Sequence, residues 1–376
     1  MGNDFSKLSP KDLIHTIRTR SQRRPQETPT KPVNAESVAS NPTPTPTTTP
    51  TTPAPAPAPA ALPAPSVVQA AETDGAVFND EDAVFWHPSQ DDSNREYHNV
   101  DSSSYFLPSD MQEQTRLDLQ HHMLVMLFKD PIICTPVKEI MTKKSTKVLD
   151  VGCAMGTWLD SVYRTYLNPE YHGVDIADEL NQWEKMSMAK CVFGNVLEGL
   201  PYEDNTFNFV HQRLLFTGVP KAKWPGVIAE LARVTKSGGW IQLLEYDVVT
   251  YRQGPASKAL GGTFAAMLDK RGMDIHAGSN LVPHMNEASN NSGGSMRLTN
   301  ITQKTVSCPI GWGGKVGELF AQDSEKALQS MKAFLPKIMG LTNEAYDALV
   351  KENMAECGRN QSFGNFTCVY AQVVKN

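Results

Sequence analysis

No stretch of the 376 residues approaches the run of about 18 to 20 apolar residues that a membrane-spanning helix requires. The first residues also lack the apolar core of a secretory signal, because Lys7, Lys11, Asp12, His15 and Arg18 interrupt it. The six cysteines (Cys134, Cys153, Cys191, Cys308, Cys357 and Cys368) are scattered, with no C-x-x-C and no histidine pair at zinc-ligand spacing. This usage argues against a structural metal and against a disulfide framework, and it predicts an intracellular chain in cytoplasm or nucleus. A basic excess is missing as well: 35 Lys and Arg stand against 41 Asp and Glu, a net charge of -6. Duplex nucleic acid usually demands a basic footprint, so no direct nucleic-acid contact is expected, although a protein partner on chromatin stays open.

The charge is uneven along the chain. Residues 1–40 hold seven basic and four acidic residues, and residues 41–71 hold no charged residue at all. Residues 72–101 then hold nine acidic residues and one arginine, which leaves the rest of the chain within one charge of neutral. Fourteen of the 26 prolines fall at or before Pro65. The tract from Asn41 to Pro65 is built from Pro, Thr and Ala and cannot bury enough apolar area to offset its ordering entropy, so it reads as an extended spacer. Residues 1–95 are therefore expected to be a disordered arm and residues 96–376 a single domain. The opening Met-Gly-Asn-Asp-Phe-Ser matches the pattern for acylation at Gly2. Acylation would give a reversible, peripheral membrane contact, because one acyl chain anchors only marginally. A helix beginning at Ser9, with Leu8, Leu13, Ile14 and Ile17 apolar and Arg18, Arg20, Arg23 and Arg24 basic, is a candidate second signal. The alternative is an unmodified basic tail.

Past Asp101 the character changes. Leu117, Met123, Leu124, Leu127 and Phe128 recur at helical spacing, with a cap in Ser109-Asp110-Met111-Gln112. His121 and His122 are adjacent, point about 100° apart on a helix, and cannot chelate one metal together. KVLDVGCAMGTW (Lys147 to Trp158) then runs from a short apolar strand through a small-residue turn into a helix. Gly152, Ala154 and Gly156 let backbone amides approach a ligand at that helix N-terminus. A second strand ends on Asp175, about 20 residues beyond the turn, where a carboxylate can accept from both ribose hydroxyls of an adenosine. Further strands end near Asn195 and near His211 and Gln212, and a fifth follows the turn Lys236-Ser237-Gly238-Gly239. Strands alternating with helices at this spacing predict a doubly wound α/β sheet.

The turn departs from the dinucleotide fingerprint G-x-G-x-x-G, since the small residues fall as G-x-A-x-G and Thr157 stands in the last glycine position. Asp150, at the end of the first strand, would repel a pyrophosphate but would attract the ammonium of an amino acid. A cofactor with adenosine at one end, an amino acid at the other and no phosphate fits, and S-adenosylmethionine is such a molecule.

With Tyr105 to Asp110 (YFLPSD), Arg116, LDVGCAMGTW, HGVDI, LPYEDNTFNFVHQR and PIGWGGKVGEL in order, residues 101–374 resemble class I S-adenosylmethionine-dependent methyltransferases. More narrowly they are similar to the fungal LaeA-like and Umta-type proteins related to the velvet-complex regulator of secondary metabolism. The resemblance implies a Rossmann-like seven-stranded sheet and S-adenosylmethionine as cofactor. By position it implies Asp150, Gly152 and Gly156 on the methionine side, Asp175 on the ribose, Asn195 and Val196 on the adenine, and His211 and Gln212 facing the sulfonium. Arg116 would pair with the cofactor carboxylate from a lid, or else form a surface salt bridge. Ala154 and Asn195 depart from the glycine and aspartate usual in that class, and either change could weaken cofactor binding.

No catalytic base is assigned, because the sulfonium is already activated and alignment does most of the work. His211, Tyr246 and Glu245 are candidate acceptor-site groups. Residues 273–296 are expected to shape the acceptor pocket, with Ser289 to Gly294 a flexible loop, or else to be a plain surface connection. The acceptor, small molecule or protein, is open, as are regulatory protein partners. Two rival functions are a regulatory scaffold without turnover and an NAD(P)-dependent oxidoreductase.

Overall fold

The computed structural model describes residues 95–98, 100, 104–129, 132–177 and 187–376. Gly2, the segment from Ser9 and the Pro/Thr/Ala tract lie outside the described residues. Asp110 begins the first helix by accepting a hydrogen bond from the Glu113 backbone N–H, which satisfies one of the donors that a helix start leaves free. That helix, α1, spans Met111–Phe128 and buries Leu119, Met123, Leu124 and Phe128. The capping residue falls within the tetrapeptide expected to supply it.

Five strands follow: β1 Lys147–Val151, β2 Glu170–Asp175, β3 Ala189–Phe193, β4 Phe207–Arg213 and β5 Thr235–Tyr246. Helix α2 (Thr157–Thr165) joins β1 to β2, and α3 (Trp224–Val234) joins β4 to β5. β5 leads through α4 (Pro255–Lys270) and α5 (Ala277–Asn291) to β6 (Met296–Pro309). The chain then forms α6 (Lys315–Ser330), α7 (Leu335–Met339), α8 (Asn343–Arg359) and β7 (Phe363–Lys375). The seven strands lie in the order β3-β2-β1-β4-β5-β7-β6, parallel through β5, with β7 antiparallel to both of its neighbours. β6 and β7 pair antiparallel although α6, α7 and α8 separate them in sequence. The expected turn at Lys236 to Gly239 is instead a strand irregularity within β5, where Gly238 has φ +82° and the register against β4 shifts.

Side chains alternate across the strands, as a pleat requires. Val148 and Phe209 face α1 and α2, packing with Trp158, Leu159 and Met123. Leu149, Val151 and Val210 face the other way, onto Trp224, Ile228 and Leu231 of α3 and Leu281 and Met285 of α5. A third apolar cluster, with Phe106, Leu260, Phe334, Tyr346 and Val350, unites α4, α7 and α8. The strand order reverses between β1 and β4, and a crevice opens at the carboxyl ends of strands at such a switch point.

Candidate active site

At the end of β1 the chain must turn within a few residues. Gly152, at φ +74°, and Gly156, at φ +70°, take left-handed conformations that a side chain disfavours. A Cβ on Gly152 would also stand 2.7 Å from Leu215 Cδ2. The turn is tied to β2, because Gly152 N–H and Cys153 N–H both donate to the Val174 carbonyl, at 2.8 and 3.2 Å. Between them and Gly156, Ala154 adopts φ +45° with a Cβ in place. Its N–H donates to Asp175 Oδ2 at 2.8 Å, and Ala177 N–H donates to Asp175 Oδ1 at 2.9 Å. Asp175 is thus oriented by two backbone donors, yet burial still raises its pKa against their pull.

Asp150, Gly152, Asp175, Asn195 and Val196 all line one cavity of about 370 Å³. Asp150 is 4% exposed and takes no hydrogen bond from any described residue. Burial pushes its carboxyl up to about 8, with Arg213 pulling the other way and Asp175 adding to the rise. A buried acid with open lone pairs at a cavity wall is what a ligand cation would complete. Asn195 accepts from Leu197 N–H at 3.0 Å through Oδ1, which turns its amide oxygen toward its own backbone. Val196 supplies apolar wall.

Three expectations need correction. His211 and Gln212 do not line the cavity. The strand continues to Arg213, and it is Arg213, Leu214, Leu215 and Phe216 that reach it. His211 is fully buried, stacked at 4.0 Å on Trp158, with Nδ1 3.1 Å from Gln242 Nε2. Gln212, one residue on, points to the opposite face of the sheet, beside the Glu245 carboxyl.

Arg116 does line the cavity, but it is buried rather than on the surface, and two carboxylates engage its guanidinium. It is 5% exposed, and its guanidinium donates to Glu113 Oε1 at 2.8 Å and to Asp323 Oδ1 at 2.7 Å. Two carboxylates hold its pKa above the ordinary value despite burial.

Residues 273–296 form no part of the cavity wall. They build α5, which continues through Asn291 because Leu281, Met285 and Ala288 bury against the sheet and α3. Ser289, expected in a loop, is helical and accepts from Leu298 N–H at 2.9 Å through Oγ.

The remaining acceptor candidates divide. Tyr246 lines the cavity, while Glu245 lies behind it, with its oxygens accepting from Leu215 N–H at 2.9 Å and Phe216 N–H at 3.2 Å. Burial raises Glu245 to about 8 against those two donors. Glu245 thus holds the loop that faces Gly152.

The sequence reading missed most of the far wall. Ser257, Leu260, Gly261 and Phe264 of α4 line the cavity at positions i, i+3, i+4 and i+7, a spacing legible in the sequence as one helix face. Asp323, Asn353 and Cys357 had no local signal, since only the packing of α6 and α8 brings them in.

A family described as a methyltransferase domain matches residues 148–239, which span β1 through the early part of β5. The N-methyltransferase sirN of Leptosphaeria maculans is 27% identical over 251 residues, covering 66% of this chain and 82% of that protein. The N-methyltransferase verN of Clonostachys rogersoniana is 32% identical over 160 residues, covering 41% of this chain and 54% of that protein. The secondary metabolism regulator laeA of Coprinopsis cinerea is 28% identical over 159 residues, covering 42% of this chain and 39% of that protein. The chain contains a methyltransferase domain. This methyltransferase spans only about half the length of verN and less of laeA. An NAD(P)-dependent oxidoreductase finds no support among these relatives. In the methyltransferase the residues at the switch point suit S-adenosylmethionine: Gly152 holds a left-handed φ of +74° that a side chain would strain, and buried Asp150 still has lone pairs to offer.

Proposed function

We infer that the crevice seats S-adenosylmethionine with its amino-acid end at Asp150 and Gly152 and its ribose at Asp175. Asn195 and Val196 then lie along the adenine. The observation that carries this reading is Asp150, a buried carboxyl in the cavity wall that no described residue satisfies. When bound, the cofactor supplies an activated methyl group. The chain's own part is to bind, orient and exclude water. Asp150 offers a carboxyl that gives up its proton to solvent as the ammonium docks, and Asp175 offers two acceptor oxygens already aligned by Ala154 and Ala177 N–H. Leu215 packs against the glycine turn and Arg213 adds to the cavity wall, and no side chain is assigned as catalytic base.

Calorimetric titration with S-adenosylmethionine tests the assignment. Asp175→Ala removes charge-assisted hydrogen bonds worth about 1.5–3 kcal/mol, an expected rise in Kd of roughly 10- to 150-fold. An unchanged Kd would refute the role of Asp175. Tight binding without methyl transfer to any component of a cell extract would favour the regulatory scaffold instead. Names of the relatives that are secondary metabolism regulators support looking for regulatory protein partners.

The amino-terminal pattern supports a further part of this reading, in which Gly2 is acylated. Acylated Gly2 and the basic residues that follow it would attach the arm peripherally to an intracellular membrane. Mass spectrometry of the N-terminal peptide tests it, and an unmodified terminus would end the idea.

A further inference from the structure

Beyond the cofactor crevice the same cavity continues into a chamber walled by α4, α6 and α8 and floored by the sheet ends at Tyr246 and Phe366. Its surface is mostly apolar, with Leu260 and Phe264 from α4, Phe320 and Leu328 from α6, and Met354 from α8. One polar knot interrupts it. Ser257 Oγ donates to Asn353 Oδ1 at 2.6 Å, and Cys357 Sγ donates to the same oxygen at 3.6 Å. Ser257 is itself held, since its N–H donates to Glu356 Oε2 at 3.1 Å. The oxygen of the Asn353 amide is therefore committed twice within the protein. Its Nδ2 donates to no described residue, although Asn353 is only 8% exposed and lines the cavity. A buried amide N–H in apolar surroundings calls for an acceptor.

Charge narrows the ligand further. Among the described residues, the basic side chains in the cavity wall are Arg116 and Arg213. Arg116 is already engaged by Glu113 and Asp323, and Arg213 Nη1 lies 3.1 Å from His121 Nδ1, within the field of Asp150 and Asp323. Five carboxyl groups, Glu113, Asp118, Asp150, Asp175 and Asp323, outnumber these two in the wall, which disfavours an anionic acceptor. The volume, about 370 Å³ including the crevice, is on the scale of a small ligand rather than a docked protein.

We propose that this chamber is the acceptor subsite, and that it takes an uncharged, largely apolar small molecule whose carbonyl oxygen accepts from Asn353 Nδ2. The acceptor role rests on the cofactor reading above, whereas the ligand chemistry rests on the chamber alone. Gly261 sets the chamber's width. It shares the cavity-facing side of α4 with Ser257, Leu260 and Phe264, and a Cβ there would meet nothing closer than Gln253 Nε2 at 3.8 Å. A Cβ at 261 would therefore enter ligand space without a clash.

Three probes of similar size isolate the features: benzophenone has the carbonyl, diphenylmethane lacks it, and 4-benzoylbenzoate adds a carboxylate. Binding is measured on the full chain saturated with S-adenosylhomocysteine, and ultraviolet cross-linking of benzophenone is mapped by peptide mass spectrometry. Labelling is expected at residues of α4, α6 and α8 and just beyond α6, with Met331 and Met354 the favoured sites. Benzophenone should bind about 5- to 10-fold more tightly than diphenylmethane, the scale of one neutral hydrogen bond. The carboxylate should bind at least 10-fold more weakly than benzophenone. Asn353→Leu should erase the preference for the carbonyl. Gly261→Leu should abolish labelling while the melting temperature holds or rises, because leucine is the better helix former. Labelling outside the chamber, equal affinity for all three probes, or a carbonyl preference that survives Asn353→Leu would overturn the proposal. A separate titration with S-adenosylmethionine keeps the two readings apart. If wild-type protein fails to bind it, the cofactor assignment falls, while the probe preferences still decide the chemistry of the chamber.

Discussion

Arg116→Met tests the ion cluster that fastens α1 to α6 across the cavity. In the native chain Arg116 stands between Glu113 and Asp323. Ser330 Oγ donates to Glu113 at 2.8 Å, and Gln120 Nε2 donates to Asp323 at 3.1 Å. None of the three charged side chains is more than 6% exposed. Methionine keeps much of the volume but leaves two carboxylates facing each other. Breaking a buried pair in this way costs about 3–5 kcal/mol. The cost has a ceiling, because one carboxyl can take up a proton. Holding a carboxyl of ordinary pKa near 3.9 neutral at pH 7 costs about 4 kcal/mol, and at pH 5 about 1.5 kcal/mol. Asp323 is the group expected to protonate, since burial already raises its pKa beyond what Arg116 offsets. By that ceiling the variant should lose about 4 kcal/mol relative to wild type at pH 7 and about 1.5 kcal/mol at pH 5. Urea unfolding followed by tryptophan fluorescence at both pH values measures this. A second substitution, Asp323→Leu in the Arg116→Met background, should recover most of the loss, since it removes the uncompensated charge. A loss below about 1 kcal/mol at pH 7, or one that does not shrink at pH 5, would refute the reasoning.

Other outcomes follow from the same geometry. Asp150 and Glu245, both raised to about 8 by burial, bind protons more tightly folded than unfolded. Their contribution to stability is complete below the unfolded pKa near 4 and is lost as pH rises toward about 8. Urea midpoints taken from pH 5 to 8 should fall accordingly, and Asp150→Asn should flatten the slope; a midpoint that rises through this window would contradict the assignment. Ala154→Gly relieves a left-handed alanine costing about 1–2 kcal/mol and adds about 0.5–1 kcal/mol of chain entropy. A net gain of about 0.5–1 kcal/mol in thermal or urea unfolding is expected, and a loss would show that the Cβ packs usefully. His211→Phe keeps a ring on Trp158 but strips Gln242 of one contact, so it should cost about 1–3 kcal/mol in stability. Because His211 does not reach the cavity, the Kd for S-adenosylmethionine should stay within about twofold, and a large change would restore it to the site.

Much of this molecule was legible from short-range pattern. The first strand, the small-residue turn and Asp175 follow from apolar runs, positive-φ demands and the fixed reach of one βαβ unit from turn to second strand. The α1 cap at Asp110 is local in the same sense. The errors arose where a periodic signal needed a third dimension. His211 and Gln212 occupy the end of β4 in sequence. Yet a strand alternates its faces, and one residue decides whether a side chain meets Trp158, the opposite core or the cavity. Ser289 to Asn291 look like loop by composition, but burial of Leu281 and Met285 outweighs that weak preference and carries the helix on.

Linear order was enough for the class of fold, the cofactor turn and the uneven placement of charge, because each depends on neighbours within one supersecondary unit. The acceptor side was decided only in tertiary structure. Arg116 and Asp323 lie 207 positions apart in the chain, and Asp150 and Asn353 are similarly distant. They share one cavity because the helices after β5 fold back over the carboxyl edge of the sheet. No local signal records that meeting, since its free energy comes from packing α4, α6 and α8 together and not from any one of them alone.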